Sequence, residues 1–386
     1  MSGRDSWRVA VLPGDGIGPE VMAQAVRVLE RLGGHDGPSL ELEQFGWPST
    51  AYHREHGRMW PTDWREQLAA FDAILLGALG DPGPTSDPGR YRLSDGDSLA
   101  PLLEIRKGFD QWACERPAMR LPGAPQFLAD ERAGEVDMLV VRENSEGEYV
   151  GQGGRLAAGT DREVVTQVEV FTRRGAERIF RHAFHQARLR AEERDAGKRR
   201  ERRFSLPDGG GAKAQVCLIT KRNALQYWGE MYTEAFDAVA REYPDIATHH
   251  ELVDAACMKF VTAPWQFDVV VASNLQGDIL TDLAAVLTGG MGVAPSCNLN
   301  PGDRSQPPMF EPTHGSAPDI AGENKAGPTA MLLTAAMMLQ WMGVEDERAA
   351  AAAKRLTDAV AADLAESAGR ARSTSEVGDA ILARLN

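Results

Sequence analysis

The sequence predicts an α/β protein. Short apolar runs alternate along the chain with amphipathic helical patterns. Several of the runs are continuously apolar, as strands buried on both faces are. Chemically active side chains follow directly after four of them, and open α/β sheets bind ligands beyond the carboxyl ends of their strands. With 386 residues, 43% apolar and 25% charged, the chain is long enough for about two or three globular domains.

Residues 7–13 (WRVAVLP) read as a strand and 13–20 (PGDGIGPE) as a glycine-rich turn. Gly18 is expected at the N-cap and Pro19 in the first turn of a helix whose Val21, Ala25, Val28, Leu29 and Leu32 recur at helical spacing. Gly14, Gly16 and Gly18 give G-x-G-x-G instead of the dinucleotide fingerprint G-x-G-x-x-G, so the turn does not predict a Rossmann fold. Strands are expected at 40–45 and 71–76, and a long functional loop at 77–98. A helix over 99–112 carries Arg106, and Arg116 follows it in E-R-P.

The buried strand 137–141 (DMLVV) leads into R-E-N-S-E-G-E-Y, with Arg142 and Tyr149. A strand at 164–171 and a helix at 174–190 follow. Residues 191–214, crowded with Arg, Lys and Glu and then with Gly, read as a charged, solvated surface insertion. Strand 215–219 precedes T-K-R-N, with Lys221. A helix spans 224–241, and strand 246–253 ends at Asp254. Strand 267–272 (FDVVVA) runs into S-N-L-Q-G-D-I-L-T-D-L at 273–283. A Gly/Pro-rich stretch, 288–328, gives way to helices at 329–342, 345–365 and 375–385, the last capped by Thr374 or Ser375.

The net charge of −14 argues against nucleic acid and anionic membranes as partners. No run has the length of a membrane span, and the N-terminus has no signal-peptide core. The four scattered cysteines suggest neither a zinc site nor a disulfide framework, and a reducing cytoplasm is expected. Asp278 and Asp282 lie four apart, on one helix face, where two carboxylates repel unless a divalent cation sits between them. Arginines grip carboxylates in bidentate fashion. A lysine and a tyrosine can move protons once their surroundings tune them. The inventory points to metal-assisted chemistry on a small polycarboxylate.

The motifs L-P-G-D-G-I-G-P-E, E-R-P, V-V-R-E-N-S-E-G-E-Y, T-K-R-N, V-D-A, S-N-L-Q-G-D-I-L-T-D and E-P-T-H-G-S-A-P-D-I-A-G stand in this order. In them the chain resembles the β-decarboxylating dehydrogenases of isocitrate, 3-isopropylmalate and tartrate/D-malate. The resemblance implies that family's two-domain fold with a central cleft. One domain would be built from 1–111 and 289–386, the other, 112–288, would carry the contacts of a cytoplasmic homodimer with shared active sites. It implies Mg²⁺ or Mn²⁺ on Asp278 and Asp282, with Asp254 from the other subunit. Arg106, Arg116 and Arg142 would hold the substrate carboxylates. Lys221 would assist removal of the C2 hydroxyl proton and Tyr149 would return a proton to C3. Asn223 would help position the cofactor, and His314, Gly315, Ser316, Ala317, Asp319 and Ile320 would form an adenosine loop. Members with an acidic residue at the place of Asp319 use NAD, which agrees with physics: a carboxylate accepts from a ribose hydroxyl and repels a 2′-phosphate.

In that family the group on C3 is read by the turn before Arg106, so the resemblance would set Leu99, Leu102 and Leu103, together with Ala224, against it. Neither the glutamate usual in isopropylmalate enzymes nor the Ser and Asn of isocitrate enzymes is present. G-F-D-Q, R-L-P-G, F-T-R-R-G and N-L-N-P resemble the tartrate/D-malate group, so a 2-hydroxy dicarboxylate of that type is expected. 3-Isopropylmalate or another 3-substituted malate is the alternative. Glu115 and Gln276 stand where the family usually has apolar residues, and Gly327 where it has Asn. Two other classes remain open: a non-catalytic regulatory subunit, and a metal-dependent phosphate-handling enzyme. Against the latter, no P-loop Lys-Ser/Thr follows the glycines.

Overall fold

The computed structural model describes residues 6–34, 36–80, 92–367 and 370–385. Part of the loop expected at 77–98, residues 81–91, lies outside them. The chain divides into two compact units. One comprises Met1–Gln111, Met119–Gly134 and Ala285–Asn386, the other Trp112–Ala118 and Glu135–Ala284.

The first unit opens with β1 (Trp7–Gly14), α1 (Gly18–Leu32), β2 (Leu40–Gln44), the short helices α2 (Thr50–His56) and α3 (Trp64–Leu68), β3 (Ala73–Ala78) and α4 (Asp95–Gly108). β1 pairs in parallel with β2 and β3. The N-cap of α1 is Ile17, one residue before the expected Gly18, which is already helical. Alternation sends Ala10 and Leu12 of β1 and Ile74 and Leu76 of β3 into one cluster with Leu68, Ile105 and Phe109. That cluster fixes α4, and with it Arg106. α2 and α3 are too short to show a helical period in the sequence.

The second unit contains β4 (Ala113–Met119), β5 (Asp137–Glu143), β6 (Gly147–Leu156), β7 (Val164–Val170), α5 (Arg173–Asp195), β8 (Phe204–Ser205), β9 (Gly211–Ala212) and β10 (Gln215–Thr220). It continues through α6 (Gln226–Ala240), β11 (Ala247–Leu252), α7 (Val253–Thr262), β12 (Val269–Ala272) and α8 (Asn274–Thr288), whose residues from Ala285 on belong to the first unit. Its strands lie in the order β11-β10-β12-β5-β4. β10 is parallel to β11 and β12, and β12 to β5. Their carboxyl ends therefore point the same way. All four residues of β12 are buried, as a strand covered on both faces requires.

Most of 191–214, the stretch expected as a solvated surface insertion, is exposed or half-buried. Residues up to Asp195 extend α5, and Arg194 is only 3% exposed. Its guanidinium donates to both carboxylate oxygens of the fully buried Asp268, at 2.8 and 2.7 Å. Arg190 donates to Asp268 at 2.6 Å, and Arg199 pairs with Asp137 at 2.6 Å. Within the stretch, Arg194, Arg199 and Arg202 are counter-charge for Asp268 and Asp137, while Arg200, Arg203 and Lys213 pair with Glu135, Glu201 and Asp195.

The chain then returns to the first unit with β13 (Pro295–Leu299), β14 (Met309–Pro312), α9 (Thr329–Met342), α10 (Glu347–Ser367) and α11 (Thr374–Arg384). β13 is antiparallel to β14, which is parallel to β3. The cap of α11 is Ser373, in a capping box with Glu376, and not Thr374 or Ser375. Among the described residues no helix is long and apolar enough to cross a membrane.

Candidate active site

The carboxyl ends of the second unit's strands gather the expected side chains. Arg142 is the sixth residue of β5 and 1% exposed. Its guanidinium donates to Asn274 Oδ1 at 3.0 and 2.7 Å and to Asp278 Oδ1. Arg116 lies inside β4, a strand the sequence reading missed, and donates to Thr281 Oγ1 at 2.6 Å and Asp278 Oδ1 at 3.3 Å. The Tyr149 hydroxyl donates to Asp278 Oδ2 at 2.9 Å. Gly277 lets Arg142 pass: a Cβ there would meet Arg142 Cγ at 2.7 Å. Asp278 is thus the acceptor on which two arginines and a tyrosine converge.

Asp282 stands one turn on, exposed, with Arg116 at 3.8 Å. Desolvation by its neighbours, added to by Asp278 and opposed by Arg116, holds the Asp282 carboxyl above the ordinary carboxylate range. Lys221 follows β10, and its ammonium donates to Asp254 in the first turn of α7 at 2.8 Å. That bond holds the Asp254 carboxyl below its usual range. Asn223 and Ala224 are exposed beside it. The oxygen-only donors Asp278 and Asp282 suit a hard cation. Yet no group of three His, Cys, Asp or Glu able to hold a metal exists within the chain among the described residues.

The first unit holds a second constellation. Arg106, 5% exposed, donates through Nη2 to Glu311 Oε1 at 2.8 Å, and Asn298 donates to the same oxygen at 2.8 Å. Arg106 Nε is buried without a hydrogen-bond partner. Leu99 is exposed and Leu103 half-buried on α4. Leu102, also half-buried, packs against the hydrophobic cluster beneath that helix.

The loop after β14 carries His314, Gly315, Ser316, Ala317, Asp319 and Ile320. It is docked on the glycine turn after β1: Ile17 N–H donates to Ser316 O at 2.8 Å. Gly16 has φ +59, and a Cβ there would stand 1.9 Å from Ser316 O. The turn therefore serves as a seat for this loop. Gly16→Ala is expected to destabilise the protein by about 1–3 kcal/mol, read as a lower denaturant midpoint. Asp319 is exposed, and His314 Nε2 is buried with no partner. Burial holds the His314 imidazole below its ordinary pKa. A neutral ring nitrogen with an unmet bond and an exposed carboxylate suit the nucleoside half of a dinucleotide.

Sequence reasoning missed Asn274, Thr281 and Glu311. The signal for the first two was present: they lie four before and three after Asp278, on the same helix face. Glu311 gives none, because its partner Arg106 is distant in the chain.

Residues 8–200 and 202–381 match the signature described as Isocitrate/isopropylmalate dehydrogenase. The chain belongs to this family. It is 44% identical to the D-malate dehydrogenase [decarboxylating] of Escherichia coli (strain K12), over 89% of this chain and 87% of that protein. It is 41% identical to the tartrate dehydrogenase/decarboxylase of Pseudomonas putida, over 99% of each. Identity to the 3-isopropylmalate dehydrogenase of Streptomyces coelicolor is 44%, over 98% and 99%. The crystal structure of isocitrate dehydrogenase from Methylococcus capsulatus superposes with a TM-score of 0.75 at 30% identity, covering 98% of this chain and 99% of that one. As a member of the isocitrate/isopropylmalate dehydrogenase family, the chain is a decarboxylating dehydrogenase, an oxidoreductase acting on CH–OH.

Proposed function

We propose that this enzyme oxidises a D-malate- or tartrate-type 2-hydroxy acid with NAD⁺ and Mg²⁺ or Mn²⁺, with loss of CO₂ where C3 bears a carboxylate. The observation that carries the reading is the convergence of Arg116, Arg142 and Tyr149 on Asp278, with Asp282 one turn away. When bound, the cation would lower the pKa of the C2 hydroxyl and stabilise the enolate, and NAD⁺ would supply the hydride acceptor.

This chain's residues do the rest. Arg116 and Arg142, and from the first unit Arg106, bind substrate carboxylates. Asp278 and Asp282 hold the cation, and Asp254 of a second copy completes its ligands. Lys221, delivered with Asp254, takes the proton of the C2 hydroxyl, and Tyr149 gives a proton to C3. Asn223 and the loop from His314 to Ile320 hold the dinucleotide, with Asp319 accepting from its ribose hydroxyls. A homodimer is favoured by the exposed apolar residues on the helices that bear the acids: Met258 and Val261 on α7, and Leu275, Ile279 and Val286 on α8.

An NADH-formation screen with Mn²⁺ or Mg²⁺ tests the reading. D-malate or a tartrate should give the highest kcat/KM, with NAD⁺ preferred over NADP⁺. A lower KM for NADP⁺ would overturn the cofactor assignment. One observation favours a second reading, a 3-alkylmalate such as 3-isopropylmalate: Leu99 and Leu103 present an apolar face one turn apart, on the helix of Arg106. Higher kcat/KM for 3-isopropylmalate than for D-malate would select it.

A further inference from the structure

Alternation along β4 sends Arg116 to one face and Glu115 to the other. Arg116 reaches α8, whereas Glu115 reaches α5. There Glu115 Oε1 lies 2.6 Å from His182 Nε2 and accepts from Gln186 Nε2 at 2.9 Å. His182, 7% exposed, also meets the Trp112 ring edge-on at 5.9 Å. One turn earlier on α5, Arg178 stands over the same Trp112 ring at 4.9 Å. Arg178 donates to Ser145 Oγ and lies 3.7 Å from Glu143 Oε1. Glu143 follows Arg142 in β5, so it too faces away from its arginine.

Positions 178, 182 and 186 are four apart and share one helix face. Each of the two arginines that converge on Asp278 is thus followed or preceded in its strand by a carboxylate engaged by this single stripe. Core packing alone does not need this polarity, because an apolar residue in place of Glu115 would fill the same space without a charge to satisfy.

We propose that the Arg178–His182–Gln186 stripe is a positioning device for the substrate-binding arginines, and that Glu115 is the residue through which it sets Arg116. It pins the pleat of β4 from behind, so that the guanidinium on the front keeps its reach toward Thr281 and Asp278. The inference rests on the reading of Arg116 and Arg142 as carboxylate ligands, and its test separates the two.

Steady-state kinetics and thermal melts of the full chain compare Glu115→Leu, His182→Leu, Glu115→Gln and Arg116→Ala. Glu115→Leu and His182→Leu should each raise the hydroxy-acid KM by about tenfold, with the dinucleotide KM within about twofold and kcat within about threefold. Their Tm should fall, because removing one member of a buried pair leaves the other without its partner. Glu115→Gln, which still accepts through its amide oxygen, should return the hydroxy-acid KM to within about threefold of the parent. If Arg116→Ala raises that KM but Glu115→Leu and His182→Leu do not, the stripe is merely structural and the proposal fails alone. If Arg116→Ala leaves that KM unchanged, the carboxylate-binding reading falls and takes the proposal with it. Should Glu115→Leu not fold, His182→Leu carries the same comparison.

Discussion

Lys221→Ala is expected to lower kcat by about 10²–10⁴-fold while dinucleotide binding stays within about twofold. Lys221 stands at the carboxyl end of β10 with its ammonium on Asp254 at 2.8 Å, and among the described residues neither has a hydrogen bond or ion pair to Asp278, Arg142 or Tyr149. If the pair is delivered to a neighbouring copy, a mixing experiment exposes it. Each Lys221→Ala chain keeps its own Asp278, and each Asp278→Asn chain keeps its own Lys221. A mixed dimer then rebuilds one intact site from the two good halves. A refolded equimolar mixture of two inactive variants should regain about a quarter of parental activity, since half its dimers are mixed and each has one working site. No recovery would mean that Lys221 and Asp278 serve the same site from the same chain, and the shared-site reading would be lost. A kcat within tenfold of the parent for Lys221→Ala would remove Lys221 from proton transfer.

The parts of this arrangement legible in the sequence are those whose partners lie close in the chain or whose burial is complete. β5, β10 and β12 are continuous apolar runs, and α9 was bounded at both ends by Pro328 and Gly343. Asp278 and Asp282 announced themselves by helical spacing. β4 did not, because ACERPAM carries two charges and a proline in the middle of a strand. Those charges are tolerated since Glu115 and Arg116 find partners on opposite faces, α5 and α8, both far along the chain. The helix bearing Asp254 was missed for a related reason. β11 (ATHHEL) is a polar edge strand that runs straight into α7, with no cap residue to mark the change. β13 and β14 were hidden within a Gly/Pro-rich stretch that read as loop throughout. Residues 191–214 are mostly exposed, as a charge run suggests, but not throughout. Arg194 is the exception, because its counter-charge, Asp268, lies 74 positions away in the chain.

That ion cluster gives the largest expected effect on stability. Asp268 is fully buried and accepts from Arg190 at 2.6 Å and from Arg194 at 2.7 and 2.8 Å, with Arg202 at 3.9 Å. Burial alone would push its carboxyl up. Arg190, Arg194 and Arg202 overcome that and hold it below the usual carboxylate range. Asp268→Asn leaves these guanidinium groups with too little counter-charge and should destabilise the unit by about 3–5 kcal/mol. The melting temperature should then fall by roughly 10 °C. Because the folded pKa lies below the unfolded one, the carboxylate's contribution is complete above the unfolded value, about pH 4, and is lost as pH falls through the folded value. The gap in stability between parent and Asp268→Asn should therefore be constant from about pH 5 to 7 and should narrow below about pH 4. Chemical denaturation of both proteins across that range reads it directly. A gap that stays constant down to pH 2.5, or a loss under 1 kcal/mol at pH 7, would show that the arginines find other acceptors and that the cluster is not what holds α5 against the sheet.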